Sequence, residues 1–214
     1  MNKATGPDGI SARVLMATAD VVADPLCHIF NQSLKFGTVT DDWRHANITP
    51  IYKKGDRSKP ENYRPISLTC IASKVMEHIV TSHIIKFVEG NYLPYKKQHS
   101  CRAKLSCETQ LVELVADISK ELDNGKEADA CLLDFSKAFD KVSHAKLLAK
   151  ITSMGICEQI TSWTTAFLRD RTQVVTLQVA SSNPCPVTSG VPQGSVVGPA
   201  LFFLHINDLP YQVK

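Results

Sequence analysis

Long apolar runs are missing from this sequence of 214 residues. No stretch approaches the roughly 18 consecutive apolar residues of a membrane span, and residues 1–11 are polar and contain glycine. We therefore expect neither secretion nor membrane insertion, and no membrane partner. The expected location is intracellular, with nucleus and cytoplasm both open.

Paired metal-binding cysteines are also missing. The seven cysteines form no C-x-x-C pair and have no matching histidine spacing, so neither a zinc site nor a disulfide framework is indicated, and a reducing compartment fits best. Internal repeats, low-complexity tracts and linkers are lacking, which predicts compact lobes interleaved along the chain. Hydrophobic residues make up 43% of the sequence, enough to bury a core.

A strong charge imbalance is absent, because the formal net charge is only +3. Such a charge permits a polyanionic partner without requiring one. Cations are nevertheless concentrated in residues 44–64 and 96–104. Solvated loops and a phosphate-binding track explain these clusters equally well on charge alone.

Helix boundaries are marked early in the chain. Ser11 reads as the N-cap of a first helix. Asp24 and Pro25 read as the cap and first residue of a second helix, which Gly37 would end. Next, residues 48–68 predict a basic hairpin.

The two arms of this hairpin are the extended segments 48–54 and 63–68, joined through a turn signal at Gly55. Each arm contains a proline, Pro50 in the first and Pro65 in the second. Because proline cannot donate to a ladder, both arms are expected at edge or irregular positions.

Two apolar stripes at helical spacing predict core helices. The first contains Ile71, Val75, Ile79, Ile84 and Val88 and stops at Gly90; the second contains Leu111, Leu114, Val115, Ile118 and Leu122 and stops at Asn124 and Gly125. Further helices are predicted over residues 144–153 and through Trp163 and Phe167. A strand is predicted over residues 173–179, and a loop and helix close the chain. The predicted fold class is α/β, or α+β if the sheet is mostly antiparallel.

The short apolar run of residues 130–133 ends in Asp134. Such a run is typical of a strand buried on both faces. A carboxylate at the end of a buried strand can bind a metal ion in a cleft, although it more often caps the next helix.

Two later segments carry most of the chemical information. Residues 134–142 read DFSKAFDKV, and residues 189–199 read SGVPQGSVVGP. With FLHINDLP at residues 203–210, they closely resemble polymerase motifs A and B of reverse transcriptases from non-LTR (LINE-type, jockey-like) retrotransposons. The resemblance extends upstream through residues 3–10, 48–56 and 62–68, and so covers essentially the whole chain.

The resemblance implies a right-hand polymerase fold with fingers and part of the palm. Residues 1–126 would form the fingers, with a basic hairpin near 46–68. Residues 127–145 would form the palm strand with motif A, 146–186 helices and a hairpin of fingers and palm, and 187–214 motif B of the palm. The F/Y-A-D-D hairpin of motif C and the thumb are expected to be missing, which predicts that the chain alone is inactive.

The resemblance also assigns roles to motif A. Asp134 would be the catalytic metal ligand, helped by the backbone carbonyl of Phe135, and the cofactor would be Mg²⁺, with two ions in a complete enzyme and Mn²⁺ as a substitute. Phe139 would be a steric gate that excludes the 2′-hydroxyl of a ribonucleotide. For Asp140 we expect a cap or turn role rather than a second metal ligand.

Other matched positions would contact the substrates, which the family implies are an RNA template, a DNA primer and deoxynucleoside triphosphates. Arg64 and either Lys53 or Lys54 would contact the triphosphate, because an Arg forks onto phosphate oxygens and a Lys supplies a point charge. Gln193 and Gly194 would lie beside the nascent base pair. Template or primer contacts are assigned to Gly6, Pro7, Asp8, Gly9 and Arg102.

One local departure from the family lies near that last residue, because relatives favour Gly-Phe where this chain has Ser100 and Cys101. The alternative function is an RNA or RNA-DNA binding remnant that holds nucleic acid on the basic fingers without chemistry. A decayed element without a defined fold is a third hypothesis. A two-carboxylate hydrolase using Asp134 and Asp140 lacks a nucleophile or base partner.

Overall fold

A computed structural model of the chain describes residues 4–178 and 180–212. The helices of this part are α1 (Ala12–Ala17), α2 (Ala19–Phe36), α3 (Asp41–Arg44), α4 (Ile71–Gly90), α5 (Cys107–Asp123), α6 (His144–Ser153), α7 (Glu158–Leu168), α8 (Gly198–Ile206) and α9 (Leu209–Gln212). The strands are β1 (His45–Tyr52), β2 (Tyr63–Leu68), β3 (Arg171–Leu177), β4 (Ala180–Ser181) and β5 (Cys185–Val187). Across the described residues, no helix is long and apolar enough to span a membrane.

The strands form one mixed sheet in the order β2-β1-β3-β4, with β5 also paired to β3. β1 and β2 are antiparallel, from Asn47 opposite Leu68 to Tyr52 opposite Tyr63. β1 and β3 are parallel along His45–Ile48. The predicted mixed α/β class and the hairpin are therefore confirmed, and the strand predicted at residues 173–179 is β3, except that residue 179 lies outside the described residues.

The two hairpin prolines face each other, Pro50 opposite Pro65. The expectation that both arms lie at edge or irregular positions is right for β2, whereas β1 is an internal strand between β2 and β3. β1 tolerates Pro50 because its pairing with β3 ends at Ile48. On the β2 side, the Lys53 N–H donates to the Asn62 carbonyl, and by alternation along the ladder Pro50 and Pro65 form a non-hydrogen-bonded pair, which needs no N–H from either residue.

The hydrophobic core lies among α4, α6, α7 and α8, and α2 packs on α7. Full burial of a Val, Leu, Ile, Phe or Met side chain stabilises the fold by roughly 1.5–3 kcal/mol relative to leaving it exposed. Helices α6, α7 and α8 lie where the periodicity predicts them. Fully buried members of the core include Met76, Val80, Ile84, Leu147, Ile151, Trp163, Leu201 and Leu204.

Arg171 joins this core to the sheet. It is the first residue of β3, three residues after α7, and only 2% of it is exposed. Its guanidinium donates to the carbonyl oxygens of Trp43 and Phe167 at 3.2 and 3.0 Å, and it lies over the Phe167 ring. The start of the sheet is thereby fixed to the helices.

The predicted start of the second helix is wrong. Ser11 does cap α1, accepting the Val14 N–H, and Gly37 does end α2 in the left-handed region at φ 60°. α2, however, begins at Ala19, so Pro25 lies inside it. Packing of α2 on α7, where the Trp163 indole N–H donates to the Ser33 hydroxyl at 3.1 Å, and burial of Phe30 against Trp43 of α3 offset the hydrogen bond that proline removes.

The predicted core face of α4 is partly wrong. Val75 and Ile79 are 42% and 48% exposed, whereas Met76 and Val80 are fully buried. The two rows lie side by side on the helix, so apolar spacing alone does not distinguish them. The buried row also contains Glu77, a charged residue that a hydrophobic pattern assigns to the surface.

Two further predictions fail next to each other. α5 begins at a capping box of Ser106 and Thr109, but its apolar stripe is not core, because none of its residues is buried. The strand expected at residues 130–133 is not formed, and Leu132 and Leu133 are 88% and 73% exposed. A strand needs a neighbour to complete its backbone hydrogen bonds, and the described residues place no strand beside this segment.

Candidate active site

One face of the sheet forms the floor of a cleft of about 1140 Å³. β1, β2 and β3 all contribute to this floor, and residues of the β1–β2 turn and of motifs A and B form the walls. The floor residues are Ile48, Pro50, Tyr63, Pro65, Val175 and Leu177; the wall residues include Lys53, Arg57, Arg64, Asp134, Phe135, Lys137, Asp140 and Gln193. Four segments distant in sequence therefore meet in one cleft.

The β1–β2 turn is held by its own hydrogen bonds. Gly55 adopts φ 90°, and its carbonyl accepts the Tyr52 hydroxyl at 2.6 Å. The Asp56 carboxylate accepts the backbone N–H and the hydroxyl of Ser58, both at 2.9 Å, and these bonds lower the pKa of Asp56. Asn62 donates to the Asp56 carbonyl at 2.8 Å. A turn fixed in this way presents its cations from a defined position.

Arg57 is one of these cations, and the sequence pattern identifies it only as a member of the basic segment 44–64. Its guanidinium lies 4.6 Å from the centre of the Tyr52 ring, a cation–π arrangement. The Tyr63 hydroxyl donates to its carbonyl at 2.9 Å, and the two tyrosine rings meet edge to face at 5.6 Å. The alternation of tyrosine and arginine around the turn was the available signal.

The structure separates the two lysines that spacing could not. Lys53 lines the cleft and Lys54 does not. Arg64 lines the cleft and is exposed, although it points to the other face of β2 from Tyr63 and Pro65 by strand alternation. It reaches the cleft because β2 is the edge strand.

Asp134 and Phe135 also line the cleft and are exposed. Asp134 makes no hydrogen bond or ion pair with the described residues, so its oxygens are available to a cation. No group of three or more His, Cys, Asp or Glu side chains forms a metal cluster anywhere in residues 4–178 and 180–212. Two bound cations need several converging carboxylates, so these residues fit one ligand position and not a complete two-metal site.

Motifs A and B are joined by hydrogen bonds. The N–H groups of Gly190 and Val191 donate to the carbonyls of Val142 and Phe139, both at 2.9 Å. The Gln193 amide donates to Asp140 Oδ1 at 3.0 Å. The Asp140 N–H also donates to the Lys137 carbonyl at 3.1 Å and closes a turn. In the described residues Asp140 therefore connects this turn to motif B.

His144 strengthens this connection. Its Nε2 lies 2.7 Å from the Gly190 carbonyl oxygen, so this nitrogen must carry the proton. Gly190 itself adopts φ 88°, and a Cβ there would lie 2.8 Å from the Asp140 Cα. The close approach of the two motifs therefore requires glycine at this position.

Gln193 and Gly194 rest against β2. The outward N–H of Ser67 donates to the Gln193 carbonyl at 2.6 Å. Gly194 adopts φ 106°, and a Cβ there would lie 2.8 Å from the Ser67 carbonyl oxygen. Gln193 lines the cleft, whereas Gly194 does not. The glycine allows the loop to lie close to the strand, which places the glutamine at the cleft.

Phe139 lies behind the cleft wall rather than on it. Its ring stacks on Phe202 of α8, with centroids 4.9 Å apart and planes at 18°. The side chain is partly buried and packs against the core. Its proposed role as a gate would act through the wall that carries Asp140.

The residues assigned to template and primer do not line the cleft. Gly6 packs so closely on the backbone of Thr69 and Cys70 that a Cβ would lie 2.6 Å away. The Gly9 N–H donates to Gly6, and Asp8 accepts the N–H of Ile10, so Gly6 to Gly9, including Pro7, form a turn.

Arg102 holds its own loop, donating to the Gln98 carbonyl at 3.2 Å. Cys70 is buried, and burial, with a smaller effect of Asp8, raises the pKa of its thiol to about 11. Neither residue contacts the cleft.

Comparison with known proteins identifies the family to which this chain belongs. A family model described as reverse transcriptase (RNA-dependent DNA polymerase) matches residues 51–214. This match covers well over half of the chain, which therefore belongs to the reverse transcriptase family.

Relatives from mobile elements agree. The chain is 30% identical over 211 residues to the RNA-directed DNA polymerase from mobile element jockey of Drosophila melanogaster, covering 98% of this chain and 23% of that protein. It is 31% identical over 210 residues to the probable RNA-directed DNA polymerase from transposon X-element of Drosophila melanogaster, covering 98% and 23%.

A more distant relative is the retrovirus-related Pol polyprotein from type-1 retrotransposable element R2 of Popillia japonica, 26% identical over 207 residues, covering 96% of this chain and 28% of that protein. The resemblance to non-LTR retrotransposon reverse transcriptases is thereby confirmed. The chain spans about a quarter of the length of these relatives.

Proposed function

We propose that this chain supplies the nucleotide-binding part of an RNA-directed DNA polymerase, which transfers a deoxynucleotide from its triphosphate to a primer 3′-hydroxyl on an RNA template. The observation that carries the proposal is the cleft. Lys53 and Arg64 of the hairpin, Asp134 of motif A and Gln193 of motif B belong to three segments far apart in sequence, and all four residues line one cavity. The family resemblance assigned each of them to the nucleotide or its metal.

The triphosphate would lie against the β1–β2 turn. Lys53, Arg57 and Arg64 line this side of the cleft, with Glu61 as the nearby acid. Fixed cations stabilise the negative charge that builds on the leaving pyrophosphate, and they need no rearrangement during the reaction. The guanidinium of Arg64 can bind two phosphate oxygens at once.

Asp134 would be the protein's ligand for a divalent metal ion, Mg²⁺ or Mn²⁺, beside the carbonyl of Phe135. When bound, such ions polarise the phosphoryl group and neutralise its charge. The exposed Asp134 carboxylate, which lines the same cleft as these cations, suits that position. The turn would hold the triphosphate on one side and Asp134 would face the reacting phosphate on the other.

The sugar and base would contact the opposite wall. Gln193 is held by Asp140, which orients its amide at the cleft. Phe139, stacked on Phe202, cannot move back freely, so it would support the wall that carries Asp140 from behind and limit the room for a ribose 2′-hydroxyl. In this arrangement residues 1–126 act as fingers, and residues 127–145 and 187–214 as palm, with residues 146–186 between them.

Binding of Mg–dTTP tests the proposal. Because the described residues do not form a complete two-metal site, the measured quantity is the dissociation constant of Mg–dTTP rather than primer extension. Asp134→Asn should weaken the binding, and Arg64→Ala should raise the dissociation constant about tenfold, the loss of one charge-assisted contact. Arg169→Ala is the matched control, because Arg169 is exposed and does not line the cleft. Equal affinity in the wild type, Asp134→Asn and Arg64→Ala would contradict the proposal.

A second candidate is RNA or RNA-DNA binding without chemistry. The observation in its favour is that the described residues bring Asp134 to the cleft without a group of three metal-binding side chains. Binding through the basic turn would weaken steeply with salt. It would also be reduced in Lys53→Ala and Arg64→Ala, and unchanged in Asp134→Asn. Nucleic-acid binding with that pattern, and no binding of Mg–dTTP, favours this candidate.

A further inference from the structure

Glu77 is a fully buried carboxylate on the side of α4 that faces the core. Neither the metal site nor the triphosphate site uses it. Its Oε2 accepts the N–H groups of Val196 and Val197 at 2.6 and 3.2 Å, and its Oε1 accepts the Ser73 hydroxyl at 3.1 Å. A helix in the core therefore holds the backbone of motif B by a charged group.

The two N–H groups are those at the start of α8, whose N-cap is Val197. In a capping box the N3 side chain accepts the N-cap N–H, but N3 of α8 is Ala200, which has no acceptor, so α8 cannot satisfy the Val197 N–H locally. Glu77 supplies the missing acceptor from another helix, and its negative charge also suits the positive end of the helix dipole. The position of α8's first turn is thus tied to α4.

The same loop is braced between Val196 and the cleft. Ser195 accepts the Gly198 N–H at 3.0 Å and donates to the Pro192 carbonyl at 2.9 Å. Gln193 lies inside this closed loop, and its carbonyl accepts the Ser67 N–H from β2. Only two residues, Gly194 and Ser195, lie between Gln193 and Val196, so an anchor at Val196 restricts where Gln193 can lie.

The charge of Arg171 acts on Glu77. Burial raises the pKa of Glu77, while its bonds to Val197 and Val196 and the charge of Arg171 oppose this rise. Burial lowers the pKa of Arg171 to about 10, while Glu77 opposes that fall. A buried carboxylate costs stability unless it is paired and hydrogen-bonded. The partners of Glu77 meet this need, and they all belong to motif B, to α4 itself or to the start of the sheet.

We infer that Glu77 is a positioning residue for the nucleotide: through Val196 and Val197 it fixes the loop that holds Gln193 at the cleft and Gly194 against β2. This inference rests on the proposed function, because it treats the Gln193 wall as part of the nucleotide site. Glu77 does not contact the cleft itself.

Three variants separate positioning from general stability. Glu77→Leu removes the acceptor and leaves two buried N–H groups without a partner. Glu77→Gln keeps an oxygen that can accept both N–H groups and removes only the charge. Glu89→Leu is the matched control, because Glu89 lies on the same helix and accepts one backbone N–H, that of Ala103 at 3.0 Å, in a loop outside the cleft.

The measurements are the dissociation constant of Mg–dTTP and amide hydrogen exchange on the full chain. Glu77→Leu should raise the dissociation constant about tenfold and speed exchange at Val196, Val197 and Ser67. Glu77→Gln should restore affinity to within about twofold of wild type. Glu89→Leu should lower thermal stability and leave affinity unchanged. If Glu77→Leu does not fold, Glu77→Asp replaces it, since it keeps the charge but is one methylene shorter.

Unchanged affinity in a folded Glu77→Leu, with a wild type that binds Mg–dTTP, would overturn the inference and leave the proposed function standing. Equal loss of affinity in Glu77→Leu and Glu89→Leu would also overturn it, since that pattern reports general destabilisation. Failure of the wild type to bind Mg–dTTP contradicts the proposed function instead. The exchange rates at Val196 and Val197 then decide whether Glu77 fixes the loop.

Discussion

Replacing Gly194 by alanine should reveal how tightly the motif B loop is held against β2. Two costs add at this position. A residue other than glycine at φ 106° carries backbone strain of order 1–3 kcal/mol. The new Cβ would also lie 2.8 Å from the Ser67 carbonyl oxygen, and moving apart would break the Ser67 to Gln193 hydrogen bond, a loss of about 1 kcal/mol.

Gly125→Ala is the control that isolates the strain. Gly125 also has a positive φ, 72°, but no atom lies within 4 Å of a Cβ built there. It should therefore lose only the strain energy, of order 1–2 kcal/mol, whereas Gly194→Ala should lose about 2–4 kcal/mol. The difference between the two measures the contact with Ser67.

Urea unfolding followed by circular dichroism gives both free energies of unfolding, and hydrogen exchange at the Ser67 amide reports the local bond. We expect the larger loss of stability and faster Ser67 exchange in Gly194→Ala. Equal losses in the two variants, with Ser67 exchange unchanged, would refute the close packing of Gly194 on β2.

Three further predictions concern the cleft, a helix and pH. Lys53→Ala should weaken Mg–dTTP binding about tenfold and Lys54→Ala by less than about twofold, measured by equilibrium titration; the reverse order would contradict the assignment of Lys53 to the cleft. Gly90→Ala should raise the free energy of unfolding by about 0.5–1 kcal/mol, measured in urea, because Gly90 is helical and a Cβ there meets no atom within 4 Å; a lower stability would show an unfavourable contact. Burial, with Lys150 nearby, lowers the pKa of His205, so the folded state binds fewer protons than the unfolded state and stability should fall as pH drops below about 6.5; His205→Gln should flatten this fall, and an equally steep fall in the variant would exclude His205 as its source.

Local signals in the sequence predict much of the fold. Gly37 ends α2 because the left-handed conformation favours glycine, and Ser11 caps α1 through a bond that its residue type predicts. The hairpin follows from the turn at Gly55 between two extended segments. Each of these features depends on residues close together in the chain, where spacing is informative.

The errors arise where distant contacts decide. Pro25 lies inside α2, because packing of α2 on α7 and of Phe30 on Trp43 outweighs a local helix signal. The apolar run ending in Asp134 would form a strand only beside a partner strand, and the described residues place no strand there. An apolar pattern carries no information about such a partner. The stripe of α5 has the right period for a core helix, but period does not tell which surface will cover it.

The candidate site divides in the same way. Family resemblance selected Lys53, Arg64, Asp134 and Gln193, and these residues share a cleft. The residues that support them were not predictable. Glu77 is a charged residue within an apolar helical pattern, and the two motif B residues that donate to it, Val196 and Val197, lie 119 and 120 residues away, so only the fold brings them together.

We propose that one cleft binds a deoxynucleoside triphosphate between the β1–β2 turn and motifs A and B. The most direct measurement is a map of amide chemical-shift changes on titration of the ¹⁵N-labelled chain with Mg–dTTP. We expect the largest chemical-shift changes at Lys53, Arg64, Asp134 and Gln193, and none at Arg169. Saturable changes confined to other parts of the chain, or no change at these four residues at saturating nucleotide, would contradict it.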